Sequence, residues 1–376
     1  MKQPIVHQQA LDQVLADVLD AVKAQNILVV TGKRSFESSG AKQKCEEVFR
    51  EKSVQYFTEF SPNPTIKEVK NGLAAFEESE ADTVLAIGGG SAMDIAKSIA
   101  WLAGSDVDLL RYVTGERSKS RDGVALIAVP TTAGTGSEVT HFAVVYVDNK
   151  KYSLAHPSIL PDYVVLDAEL TYSLPASITA TSGLDALSQA IESYWSINST
   201  EESRSYSREA IPIIVENLQP AVTGDVVARA RMLYAAHLAG KAINIAKTTA
   251  AHALSYPLTS HFGVPHGHAV MLTLPQILVY NSAVSDTDCA DSRGVAFVQK
   301  ILSEVCDLLG FSSSLEASTY LHSLIRDVGL VDRLGDLHVE AKDVELLVSG
   351  ISPERMGNNP CRLSCRDIHK IYASIL

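Results

Sequence analysis

The chain has 376 residues, 46% of them apolar and 20% charged, with a formal net charge of −12. This composition supports packed cores and excludes a disordered tail or a coiled coil. The negative balance argues against a nucleic-acid or anionic-membrane binder acting through bulk charge. At roughly 100–200 residues per domain the length points to two domains. No segment nears the roughly 20 uninterrupted apolar residues of a membrane span. The first residues, MKQPIVHQQALDQVLADVLDAV, are broken by Gln, Asp and His, which does not suit a signal-peptide core. Five cysteines, Cys45, Cys289, Cys306, Cys361 and Cys365, are odd in number and scattered, which fits reduced thiols in a cytoplasmic protein. Cys361-x3-Cys365 has no second Cys/His pair beside it, so a zinc ribbon is not expected.

In chain order, Asn26–Thr31 is a short apolar run ending at Gly32, followed by a helical stretch at Ala41–Lys52 and a strand at Val54–Phe57. Ile66–Glu77 has helical spacing, with Val69, Leu73 and Phe76 on one side. Thr83–Ile87 is a second apolar strand, Ala92–Leu102 a helix, and Val124–Val129 a third strand. Apolar runs alternating with helices predict a parallel sheet covered on both faces. From about Ser177 the strand signals fade. Helical periodicity then repeats over Ser182–Tyr194, Ser203–Leu218, Val226–Ile245, Thr249–Leu258, Ala269–Tyr280, Val295–Leu309 and Leu315–Val328. The expected organisation is an α/β nucleotide-binding domain over 1–178 and an all-helical domain over 179–376.

Gly88-Gly89-Gly90-Ser91 stands between a strand and a helix, where glycines let the backbone approach a phosphate and helix N–H groups face the anion. Bare GGGS also occurs in ordinary loops, but a strand-to-helix turn is where open α/β sheets bind ligands. Pro130-Thr131-Thr132-Ala133-Gly134-Thr135-Gly136-Ser137-Glu138 is a second loop rich in hydroxyls and glycines after a strand. Two such loops suggest a dinucleotide, without the GxGxxG fingerprint. Asp185 and Gln189 share a helix face at i and i+4. With His252 and His266 they offer a carboxylate and two imidazoles, a competent set for a divalent transition metal. In a chain with 11 histidines the alternative is that these are hydrogen-bonded core residues, with His261 and His268 as further candidates.

Taken together, the motifs resemble the iron-containing (group III) alcohol dehydrogenases, whose fold is shared with dehydroquinate synthase and glycerol dehydrogenase. The resemblance runs from about Asn26 to the C-terminus. It is carried by Pro62-Asn63-Pro64-Thr65, GGGSAMDIAK at 88–97, PTTAGTGSEVT at 130–140, GLDALSQAIESYW at 183–195 and the His252/His266 pair. It implies an N-terminal Rossmann-like α/β domain and an all-α C-terminal domain. It also implies an NAD(P)-dependent alcohol dehydrogenase or aldehyde reductase that works as a homodimer. Cofactor contacts are implied at Gly32, Lys33, Ser35, Asn63, Gly89, Gly90, Ser91, Asp94, Thr131, Thr132, Thr135, Ser137, Lys151 and Leu174. The implied ligands of a divalent metal, Fe2+ ahead of Zn2+, are Asp185, Gln189, His252 and His266.

Two positions depart from the family pattern. Gln189 stands where a histidine ligand is expected, and an amide oxygen is a harder, weaker ligand than imidazole. Tyr256 stands where many members carry a second active-site histidine, and a phenol does not titrate near neutral pH. A narrower resemblance is to the phosphonoacetaldehyde reductases, in which both departures are at home. It is carried by VTGKRSFESSGA at 30–41, FTEFSPNPT at 57–65, QAIESYWSINSTEES at 189–203, AHALSYPLTSHFGVPHGHAV at 251–270 and ISPERMGNNPCRL at 351–363.

The implied chemistry is hydride transfer from NADPH or NADH to an aldehyde polarised by the metal. Water, the ribose hydroxyl or His268 would supply the proton. A phosphonate needs a local cationic or hydroxyl-rich pocket, for which Arg355, Asn358, Asn359 and Arg362 are candidates, backed by Asn198, Ser199 and Thr200. Gly32, Lys33 and Arg34 end the first strand without a carboxylate, which favours NADPH. The alternatives are a general short-chain or lactaldehyde-type alcohol dehydrogenase, and a metal-free nucleotide-binding protein without turnover.

Overall fold

The computed structural model describes residues 3–105, 108–114, 123–148, 150–351 and 353–376. The chain divides into two compact units, Met1–Leu174 and Pro175–Leu376.

In the first unit the elements run β1 (Ile5–His7), α1 (Leu11–Ala21), β2 (Asn26–Thr31), α2 (Ser35–Ser38), α3 (Ala41–Phe49), β3 (Ser53–Phe57) and α4 (Ile66–Glu78). They continue with β4 (Thr83–Gly88), α5 (Gly90–Leu102), α6 (Leu109–Thr114), β5 (Ala125–Pro130), β6 (Phe142–Val147), β7 (Lys150–Ala155) and β8 (Tyr163–Val165). Six strands form a parallel sheet in the order β1-β8-β5-β4-β2-β3, as the alternating apolar runs predict. The central strands are apolar on both faces because helices cover both. Leu85 and Ile87 of β4, and Val29 of β2, pack with Leu15 and Leu19 of α1. The chain leaves β2 for β3 on one side and returns to β4 on the other, so the sheet has its switch point between β2 and β4. Open α/β sheets bind ligands outside the carboxyl ends of the strands at such a point. In this unit β1, α1, α2, α6, β8 and the antiparallel β6–β7 hairpin were not anticipated from sequence.

The second unit is helical among its described residues: α7 (Ala176–Trp195), α8 (Glu201–Val222), α9 (Val226–Ala246), α10 (Ala250–Phe262), α11 (His266–Ser282), α12 (Val295–Leu309) and α13 (Ser314–Asp327). Three shorter helices follow, α14 (Val344–Ser349), α15 (Pro353–Met356) and α16 (Cys365–Ser374). The centre of the unit is α7, buried at every residue from Gly183 to Trp195 and packed by α8, α9, α11 and α12. A helix buried all round has no solvent face, so its polar residues must find partners inside. No helix among the described residues is long and apolar enough to cross a membrane.

Candidate active site

In the first unit the two glycine-bearing loops leave the sheet side by side, because Gly88 of β4 is the register partner of Pro130 of β5. The Thr131 amide donates to the Gly88 carbonyl at 3.0 Å and ties the loops together. A Cβ on Gly89 would lie 3.3 Å from the Thr132 side chain, and one on Gly90 would lie 2.9 Å from that of Thr135. The glycines therefore let the loops touch. The N-terminus of α5 has no side-chain cap, so its first N–H groups face outward from Gly89 and Gly90. An anionic diphosphate fits this cradle through backbone donors.

Several side chains expected at the cofactor are spent on holding the cradle. Ser91 donates its hydroxyl to the Pro62 carbonyl at 2.6 Å, which fixes the segment carrying Asn63. Ser137 donates to the Asp94 carboxylate at 3.2 Å. Lys97, only 1% exposed, donates to Ser137 Oγ at 3.2 Å, Thr140 Oγ1 at 2.9 Å and the Phe142 carbonyl at 2.9 Å. Burial pushes Asp94 above the ordinary carboxylate range and Lys97 below the ordinary lysine value, and their mutual attraction opposes both shifts. Lys151, on β7, adds positive charge near Asp94. Gly32 closes β2, where a Cβ would meet Ser35 Oγ at 2.6 Å. Lys33 pairs with Glu59 at 2.8 Å on the surface. Leu174 donates its amide to the Thr171 carbonyl in the last turn of the unit.

In the second unit Asp185, His252 and His266 come together, one donor atom from each lying within 4.8 Å of the others. His252 Nε2 lies 3.4 Å from Asp185 Oδ1. His266 opens α11, and the next residue explains its approach: a Cβ on Gly267 would fall 2.0 Å from the Thr181 carbonyl and 2.8 Å from Asp185 Cβ. One hard oxygen and two imidazole nitrogens, two of the three residues buried and His266 half-buried, fit a divalent first-row metal. Gln189 donates its amide to Asp185 Oδ2 at 3.0 Å, so the residue expected as fourth ligand first of all orients the carboxylate. Tyr256 stacks on His266, with ring centroids 6.1 Å apart and 17° between planes.

Sequence reasoning missed Glu192, the residue that aims this cluster. Its side chain is fully buried on α7, two turns from Asp185. Oε1 accepts from the Thr249 amide at 3.2 Å, the Thr249 hydroxyl at 2.7 Å and the Ala251 amide at 2.8 Å, which caps the start of α10. Oε2 binds His252 Nδ1, leaving Nε2 to face Asp185. Burial pushes the His252 imidazole down, but Glu192 and Asp185 outweigh it and hold it up at about 9. The pocket thus favours a positive charge at this place.

Other expected residues serve elsewhere. His268 is buried and donates Nε2–H to the Val331 carbonyl at 2.7 Å, and burial pushes its imidazole below the ordinary value. Its Nε2–H is thus committed to a backbone carbonyl. Asn358 accepts from Asn198 at 3.0 Å and donates to the Thr248 carbonyl at 2.9 Å, while Asn359 exchanges amide bonds with Asn281. These four asparagine side chains hold the C-terminal segment in place. Arg362 is exposed, its carbonyl accepting from Tyr280. Arg355 is half-buried on α15, which packs against α10.

The iron-containing alcohol dehydrogenase domain model matches residues 3–168, and the C-terminal domain model of the same family matches residues 179–376. The chain is 37% identical over 304 residues to a phosphonoacetaldehyde reductase of Streptomyces viridochromogenes, covering 77% of this chain and 75% of that one. It is 32% identical over 371 residues to long-chain-alcohol dehydrogenase 1 of Geobacillus thermodenitrificans, covering 96% and 92%. Among solved structures, sulfoacetaldehyde reductase of Bifidobacterium kashiwanohense in complex with NAD+ superposes with a TM-score of 0.90 at 30% identity, covering 100% of this chain and 97% of that one.

Proposed function

Because the chain belongs to the iron-containing alcohol dehydrogenase family and is an oxidoreductase, we propose that it reduces phosphonoacetaldehyde to 2-hydroxyethylphosphonate with NADPH or NADH. The observation that carries a metal-assisted reduction is the Asp185–His252–His266 cluster, aimed by the buried Glu192. The substrate class is supported by two similar proteins named for two-carbon aldehydes that bear an acid group, one a phosphonate and the other a sulfonate.

When bound, the nicotinamide nucleotide supplies the hydride and the divalent metal, Fe2+ or Zn2+, supplies a Lewis acid for the carbonyl. Asp185, His252 and His266 hold the metal in this reading, with Gln189 bracing the Asp185 carboxylate. Glu192 fixes the His252 tautomer, and Tyr256 fixes the plane of His266. The backbone at Gly89, Gly90 and Ser91 holds the diphosphate, with Thr131, Thr132, Thr135 and Asn63 around it. Water or the ribose hydroxyl brings the proton, since His268 is committed to Val331. Arg355 is the cation assigned to the phosphonate. The absence of a carboxylate at Gly32 favours NADPH, with Arg34 beside it, whereas Lys33 is already paired with Glu59. Exposed Ile5 and Val6 on the edge strand β1 support a homodimer.

The relative aligned over 96% of this chain favours a second reading, a general alcohol dehydrogenase. Initial rates of anaerobically metal-loaded protein with phosphonoacetaldehyde, sulfoacetaldehyde and propanal, each with NADPH and NADH, separate the two. A preference for the phosphonate of about a hundredfold in kcat/KM, about 2.7 kcal/mol, requires a dedicated anion pocket. Equal rates with propanal would sink the phosphonate reading, and a higher kcat/KM with NADH would sink the cofactor preference.

A further inference from the structure

None of the five cysteines is bridged, but two of them face each other. Cys289 lies in the segment after α11, and Cys361 lies in the extended stretch before α16; they are partners in a one-residue antiparallel bridge. The Ala290 amide donates to the Pro360 carbonyl at 2.8 Å, and the Arg362 amide donates to the Asp288 carbonyl at 2.8 Å. Those bonds flank the cysteines on either side, which makes Cys289 and Cys361 a non-hydrogen-bonded antiparallel pair. Such a pair sets its Cα atoms about 4.5 Å apart with both side chains on one face. The spacing falls inside the range of roughly 4.4–6.8 Å that a disulfide spans. Each thiol is held only weakly at present, Cys289 Sγ by the Asp291 carbonyl at 3.5 Å and Cys361 Sγ by the Asn281 carbonyl at 3.6 Å. In a pair of this register, rotation about the two Cα–Cβ bonds is the movement that closure needs.

We propose that Cys289 and Cys361 form a reversible disulfide site, oxidised by low-molecular-weight disulfides. Cys289 is half-buried and meets the reagent first, whereas Cys361 is 1% exposed and burial pushes its thiol up to about 12. The Cys289 thiolate attacks one sulfur of R–S–S–R, forming Cys289–S–S–R and releasing RS−. Cys361, on losing its proton, displaces the second RS− and closes the protein disulfide. The two thiol protons end on two RSH, so two cysteine sulfurs are oxidised and two reagent sulfurs reduced. Closure clamps the stretch that holds Asn358 and Asn359. Asn358 is bonded to the Thr248 carbonyl, at the start of the helix that carries His252. The staple thus acts on the support of α10, not on the reacting atoms.

The test is to incubate the full-length metal-loaded protein with oxidised glutathione, quench with acid, count thiols in denaturant and map peptides by mass. The expected result is a fall from five thiols to three, with the Cys289 and Cys361 peptides linked and released again by dithiothreitol. C365S should bridge as the wild type does, and C289S should keep all four remaining sulfurs out of any internal bridge. Closure should raise the thermal midpoint by roughly 5 °C or more, with no rise in C289S. A Cys361–Cys365 link would overturn the assignment, as would a mixed disulfide that stops at Cys289, or five intact thiols after prolonged exposure. C361S removes a buried group and need not fold; the wild-type map and C289S decide without it.

Discussion

The two cradles are built by opposite means. In the first unit the ligand-facing surface is backbone, set at the end of a sheet, and the neighbouring side chains of Ser91, Asp94, Lys97 and Ser137 are spent on one another or on nearby carbonyls. In the second unit the surface is made of side chains from three helices, and one buried carboxylate both caps α10 and orients a ligand. A backbone cradle tolerates many side-chain changes but no added bulk at its glycines. A side-chain cradle tolerates none at its donors. If that contrast is right, damage to either should leave the other intact.

The sharpest way to break it is at the metal donors. D185A and H252A should each lower bound metal to less than about a tenth of stoichiometric and kcat by about a thousandfold. Nucleotide affinity, read by quenching of cofactor fluorescence, should stay within about twofold. E192Q comes next. Its amide still accepts from Thr249 and Ala251 but donates to His252 Nδ1, which forces the proton onto Nε2. Metal affinity by calorimetry should fall about 10–100-fold with little change in melting temperature. Unchanged affinity would show that Glu192 only caps the helix. On the other side of the comparison, G90V puts a branched side chain where a Cβ is already 2.9 Å from Thr135, and should weaken nucleotide binding about tenfold while metal content holds.

The smallest effect concerns pH. Burial depresses Lys97 to about 8 in the fold, so the charged form costs stability below that value. The cost is full below about 8 and shrinks as pH rises from there toward the unfolded value of 10.5, so this group makes stability rise with pH across that window. Loss of the proton weakens the hold on Ser137 and Thr140, and nucleotide affinity should drop about threefold between pH 7 and pH 9.5. K97M should be weak and flat across the same range, and a wild-type profile equally flat would remove Lys97 from the cradle.

The contrast also governs how much could be read in advance. Asn26–Thr31 and the run into Gly88 were legible because a central parallel strand is apolar throughout and a glycine loop follows it directly. The hairpin at Phe142–Val147 and Lys150–Ala155 was not, since FAVVYV is apolar on both faces and so shows no alternation, while KKYSLA is largely polar. Residue type and helix spacing made Asp185, His252 and His266 a candidate set, and the family pattern singled them out from the other histidines, because no spacing in sequence by itself brings three helices together. Glu192 went unnoticed because a charged residue in a helix ordinarily marks a solvent face. Its neighbours Ala190, Ile191, Tyr194 and Trp195 carried the missing signal, since they leave that helix no wet side. Asn358 and Asn359 look like ligands in sequence because an amide pair next to arginine suits an anion; buried, Asn358 bonds Asn198 and the Thr248 carbonyl while Asn359 bonds Asn281.

Gly267 has a consequence for how tightly this cluster can be built. With no side chain of its own, it lets the first turn of α11 rest on the Thr181 carbonyl and so sets the bite between Asp185 and His266. A methyl there would press into the Thr181 carbonyl and the Asp185 side chain and push the two helices apart. The spacing of two of the three candidate donors is therefore governed by a residue that bears no donor itself.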